Sequence, residues 1–275
     1  MNKKSYPLSD LNAWLGQADD LKILLPEKPR LDQVAAATAL SASLNKSGKK
    51  TQVVCSRPLT VEFSQVVGVE KITNQLEGRS FIININYSLA NIEKINWDDR
   101  EQERVSLIIE PKPEAPSIND RLVSFKKGSG SLKNAIVFGF SSQKELDQTI
   151  KSLGVKKTLD SLSLVNINLN RESEFFGQIK LIDLEASSFS EIVAGLIEGL
   201  SLPIEGESAG NLLLGLQAAT NSFSVSGLGP DTFEAAAFCL RAGGQLLKNN
   251  FSEQTSPEKT TEFARPKIYR GSAGD

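Results

Sequence analysis

The sequence predicts a three-layer α/β protein with a mostly parallel sheet, a β-rich insertion and a helical C-terminal portion. Three observations carry that reading. Between 21 and 55 an apolar run, a helical stretch and a second apolar run form a β-α-β unit, and such a crossover requires parallel strands. Strand-helix alternation resumes between 135 and 183, after an interval punctuated by Pro111, Pro113 and Pro116, which no helix interior tolerates. From 188 to 249 the patterns are helical in period.

Residues 9–18 read as a helix capped by Ser9, with Leu11, Trp14 and Leu15 on one face. LKILL (21–25) is a strand, Leu31 to Asn45 a helix closed by Ser47-Gly48, and TQVVC (51–55) the next strand. In the insertion, 81–125, three strands are expected: FIININ, VSLIIE and RLVSF. KKGSGSLK (126–133) resembles a phosphate loop but lacks the spacing of one, and reads better as a flexible hairpin turn. AIVFGF (135–140), the helix QKELDQTIKSLG, and the strands LSLVNIN and GQIKLID follow. Four helices then close the chain, at 188–200, 206–219, 230–242 and 243–249, with Pro230 at a helix start where its missing N–H costs nothing. Residues 252–275 are polar and rich in turn formers, and form a flexible or docking tail. Its segment 262–271 carries Phe263, Ile268 and Tyr269 as anchors, with Arg265, Lys267 and Arg270 beside them.

Composition narrows the chemistry. The chain of 275 residues contains no histidine. Ser-His-Asp and Cys-His catalysis and histidine-ligated metals are therefore excluded, leaving carboxylate metal sites, lysine or carboxylate acid-base chemistry, or a cofactor held by backbone. Cys55 and Cys239 stand far apart with no C-x-x-C spacing, so reduced, buried thiols are expected. The first residues lack an apolar leader, no run spans a bilayer, and a net charge of −2 gives no general attraction to nucleic acid or membrane. A soluble cytoplasmic protein is expected.

Candidate site residues lie at strand-to-helix turns, where open parallel sheets place ligands. Asp32 is either a metal ligand or the N-cap of its helix. Lys28 and Arg30 can hold an anion near that helix start, or simply be solvated. Asn168 and Asn170 end a strand at the cleft mouth and can either bind a ligand or satisfy their own turn. Thr220 and Asn221, with Ser222, can contact a ligand or close the preceding helix.

Three collinear segments then resemble one family. ILLPEKPRLDQVAAATALSASLNKSGKKTQVV is similar to the H-x-N-P-D-x-D turn and alanine-rich helix of DHH phosphoesterases. VNINLNRESEFFGQIKLIDLEASSFSEIVAGLIEGL resembles the segment around the D-H-H signature. NLLLGLQAATNSFSVSGLGPDTFEAAAFCLRAGG resembles the family's G-I-x-x-D-T-x-S-F stretch and the helix after it. The resemblance is to the core domain of the oligoribonuclease and adenosine-bisphosphate phosphatase type, and it implies a DHH-like domain over 1–251, two-manganese chemistry and a C-terminal substrate domain. No counterpart of that substrate domain is expected in these residues. The ligand positions fall on Pro26, Arg30, Asp32, Gly139 or Phe140, Asn168-Leu169-Asn170, and Ala219. Only Asp32 keeps its carboxylate, and Arg30 places a fixed positive charge where a dication would sit. The resemblance thus implies a non-catalytic member with no manganese, acting through a protein partner, a homo-oligomer, or a nucleotide or other phosphate ligand. A hydrolase with relocated ligands and a structural subunit are the alternatives.

Overall fold

The computed structural model describes residues 6–99, 103–155, 159–170 and 176–246. The tail from 252 onward lies outside them. Helix α1 (Leu8–Gln17) is followed by strand β1 (Asp20–Leu25), helix α2 (Leu31–Lys46) and strand β2 (Lys50–Cys55). The insertion contributes β3 (Glu77–Ile85), β4 (Ile92–Asp98), β5 (Ser106–Pro111) and β6 (Val123–Ser129). The α/β pattern resumes with β7 (Asn134–Phe138), α3 (Gln143–Ser152), β8 (Ser163–Asn168) and β9 (Ile179–Ile182). It ends with α4 (Phe189–Gly199), α5 (Gly206–Ala219) and α6 (Pro230–Arg241).

The main sheet is five-stranded and parallel, in the order β2-β1-β7-β8-β9. Near-continuous apolar runs make its central strands, because both faces are covered. Leu21, Ile23 and Leu25 of β1 and Ile136 and Phe138 of β7 face a large core shared with α1, α2, α4, α5 and α6. Leu24, Ala135, Val137 and Leu164 face a smaller core under α3, with Leu146 and Ile150. The chain leaves β1 for one edge of the sheet and returns at β7 for the other. The switch point of the topology therefore lies between the C-terminal ends of β1 and β7, where such sheets open a crevice.

Several expectations need correction. The N-cap of α1 is Pro7, not Ser9, which lies inside the first turn. The insertion has four strands rather than three, paired antiparallel as β3-β6 and β4-β5. β4 was hidden because Glu93, Lys94 and Asn96 dilute its period-2 pattern on a ribbon exposed on both faces. Ladder pairing carries β6 on to Ser129, so the first part of 126–133 is strand rather than turn. No helix begins at 243: Gly243, at φ +88°, terminates α6, and the chain to Leu246 is irregular. Among the described residues no helix is long and apolar enough to cross a membrane.

Candidate functional site

At the switch point β1 ends in the turn Pro26 to Arg30, β7 ends at Gly139-Phe140, and α2 and α4 begin. The backbone N–H of Arg30, at the N-cap of α2, donates to Gln33 Oε1 at 2.7 Å, the return half of a capping box. Asp32 is the second residue of α2 and is only 3% exposed. It does not cap its own helix. Its Oδ2 accepts from the N–H of Phe189 at 2.7 Å, and its Oδ1 from the N–H and Oγ of Ser190 at 2.9 and 2.6 Å. These are the first two residues of α4, and the next amide, Glu191 N–H, donates to Ser188 Oγ at 2.9 Å. Three of the four amides that a helix start leaves without partners are thus satisfied, two of them by a carboxylate from another helix. Burial pushes the Asp32 carboxyl above its ordinary range, opposed by these donors and by the nearby Arg30 charge.

The space around Asp32 is filled by side chains. Gly139 has φ +67°, and a Cβ there would collide with Gln33 Nε2 and lie 2.8 Å from Phe189 Cζ. Only glycine fits, because the left-handed backbone and the two neighbours both exclude a side chain. On the opposite side α5 passes at Gly215, where a Cβ would collide with Ser190 Oγ and sit 2.8 Å from Asp32 Oδ1. The Arg30 guanidinium lies over the Phe189 ring, 5.7 Å from its centroid. Phe189 itself is buried and tilted against Phe138.

The structure therefore brings Arg30, Asp32 and the 139–140 turn to one place, together with Gln33, Phe189 and Gly215, which the sequence reading did not single out. Asn168 joins the edge of the cluster, buried, with Nδ2 donating to Phe140 O at 2.8 Å. Its Oδ1 accepts from Leu169 N–H at 2.8 Å and Asn170 N–H at 3.2 Å, so it fastens two strand ends to each other. Asn170 is exposed beyond it, and Lys28 is exposed on the β1-α2 turn. Thr220 makes its contacts within the end of α5: its Oγ1 donates to Leu216 O at 2.6 Å and accepts from Phe223 N–H at 3.0 Å. Asn221, Ser222 and Phe223 follow with φ of 46, 55 and 65°, a left-handed turn without glycine.

A polar network adjoins the site. Glu191 Oε2 accepts from Ser187 N–H, Ser187 Oγ and Thr232 Oγ1 at 2.9, 2.7 and 2.8 Å, joining α4 to α6. Tyr6 donates to Asp183 Oδ2 at 2.8 Å, and its burial and that carboxylate raise the phenol's pKa. Ser188 and Glu191 stand at capping-box spacing, a signal in the sequence that locates the start of α4. A hollow of about 530 Å³ lies elsewhere, beside the edge strand β2, and part of its polar lining is paired internally, as in Ser41 Oγ with Thr51 Oγ1 at 2.6 Å and Asn211 Oδ1 with Val67 N–H at 2.9 Å. Among the described residues no three Asp, Glu, Cys or His side chains converge in a way that could cage a metal ion.

The sequence matches no protein-family model and no curated protein. Among solved structures it is similar to an exopolyphosphatase-related protein from Bacteroides fragilis, at 17% identity and a TM-score of 0.59, over 86% of this chain and 57% of that one. A family II inorganic pyrophosphatase candidate from Methanococcus jannaschii matches at 10% identity and a TM-score of 0.46, over 81% of this chain and 56% of that one, too distant to define a shared fold. The first likeness establishes a shared fold: a layered α/β domain built on a parallel sheet. The chain spans little more than half the length of either protein.

Proposed function

We propose that this chain is a DHH phosphoesterase-like protein of the cytoplasm that works by binding and not by metal-dependent hydrolysis. One observation carries the reading. At the switch point, where a two-metal centre needs converging carboxylates, Gly139 is sealed beneath Gln33 and Phe189, and Arg30 lies over the same ring. The donor set does not fit a pair of manganese ions. Asp32 is committed to the start of α4, Asn168 offers an amide already engaged at both ends, and Arg30 repels a cation. The motif resemblance to the oligoribonuclease and adenosine-bisphosphate phosphatase group is read as a likeness of fold whose chemistry is gone.

Calorimetric titration with manganese, alongside assays on short oligoribonucleotides, adenosine bisphosphate and polyphosphate, tests this. The expected result is no tight manganese binding and no turnover. Tight binding together with hydrolysis that Asp32→Asn abolishes would overturn the proposal.

A second reading rests on the exposure of Arg30 and Lys28 at the start of α2. Their fixed charge suits a phosphate-bearing ligand held without cleavage. Nucleotides should then raise the melting temperature of the protein and fail to do so in Arg30→Ala; an equal shift in both removes this reading.

A further inference from the structure

The insertion forms an arm of two successive antiparallel ribbons, β3-β6 and then β4-β5, each continued by one backbone bond beyond its ladder, Asn86 N–H to Leu122 O in the first and Lys112 N–H to Asn91 O in the second. On β3-β6, Phe81, Ile83 and Phe125 share a face, because Ile83 sits opposite Phe125 and the two phenyl rings stack at 5.5 Å. On β4-β5, Ile95 and Trp97 sit opposite Ile109 and Leu107 and share a face in the same way. Among the described residues neither ribbon packs extensively on another element. Phe81 is 65% exposed, Phe125 62%, Trp97 79%, Ile95 53%, Leu107 49% and Ile83 43%.

A two-stranded ribbon is marginal in water without a covering layer. Summed over the two ribbons, these six side chains present on the order of 700 Å² of surface, close to one partner's share of a standard protein interface. From this we infer that the arm is the surface through which two copies of the chain pair, ribbon face on ribbon face about a two-fold axis.

Two features select a second copy over other occupants. Each ribbon concentrates its exposed apolar side chains on one face, against a single exposed isoleucine on the reverse, Ile82 or Ile108, and such a face meets its own two-fold mate with like against like, as isologous contacts require. Residues 77–129 carry nine acidic and eight basic side chains, so two arms meet without net repulsion, and no single-sign field invites nucleic acid or an anionic bilayer. The inference deepens the binding reading by naming its partner.

Sedimentation velocity on the full chain from about 1 to 100 μM tests it. A monomer-dimer equilibrium is expected, and Trp97→Asp should raise its dissociation constant at least about tenfold, since a buried aromatic anchor is removed twice in a symmetric dimer. Ile83→Asp on the other ribbon should act in the same direction, while Val61→Asp, 90% exposed away from the arm, should not. Far-UV circular dichroism and melting of each variant report whether the core is intact, and Trp97→Ala replaces any variant that does not fold. A chain that stays monomeric over the whole range, or a dimer that tolerates Trp97→Ala and Ile83→Asp alike, overturns the inference. The outcomes separate from the hydrolysis assay: a monomer without manganese-dependent turnover sinks the dimer alone, and a dimer with such turnover sinks only the non-catalytic reading.

Discussion

Replacing Asp32 distinguishes a helix cap from a surviving metal ligand. In Asp32→Ala the Phe189 and Ser190 amides and the Ser190 hydroxyl lose their acceptor in a site that is buried throughout. The hydroxyl can rotate to another partner, but the two amides are fixed by the helix, and each unsatisfied buried donor costs about 1–3 kcal/mol. The variant should lose roughly 3 kcal/mol in urea unfolding at unchanged m-value. Asp32→Asn, which keeps one acceptor oxygen, should lose about half of that. Asp32 also has a definite pH signature. Because burial raises its carboxyl above the ordinary 3.8, the folded chain holds this proton more tightly than the unfolded chain. The stability of the parent relative to Asp32→Asn should therefore rise as pH falls through the raised folded value toward 3.8, and decline as pH climbs back through it. A carboxylate retained for metal behaves differently, since neutralising it in metal-free protein leaves stability level or improves it. If Asp32→Ala unfolds within about 0.5 kcal/mol of the parent, the capping role is wrong.

Two further outcomes follow from the same geometry. Gly139→Ala combines a left-handed backbone with a Cβ pressed against Gln33 and Phe189, and should cost about 3 kcal/mol in the same unfolding assay; a neutral substitution would show that the cluster at the switch point is loosely packed. Burial pushes the Cys239 thiol up to about 12 and raises that of Cys55, so neither should react with an aromatic disulfide reagent at pH 8 until denaturant is added. Rapid labelling of the native protein at Cys239 would contradict its placement.

The layered sheet was legible because parallel strands buried on both faces leave near-continuous apolar runs, as in Leu21 to Leu25, Ala135 to Phe138 and Leu164 to Ile167, interrupted only at Lys22 and Asn166. Helix α6 announced itself through Gly229-Pro230. β4 did not, since a ribbon wet on both faces is under no pressure to alternate. At the site the sequence located the turns but not their contents. Asp32 read as a local cap, whereas its partners lie more than 150 residues further along the chain, and no local pattern encodes a contact made by tertiary packing. For the same reason Gln33 and Phe189 went unnoticed. Their role follows only once Gly139 is seen to have no room for a side chain.

Strands β1 and β7 are neighbours in the sheet, yet the whole arm lies between them in the chain. Joining them means closing one long loop, of which residues 77–129 make up about half. The entropy of closure grows only with the logarithm of loop length, so the arm adds roughly 0.6 kcal/mol to the work of folding. Its length is nearly free for the core to carry. What it changes is time: β1 waits for a partner made after the arm has emerged, and the ribbons' apolar faces stand uncovered through that interval.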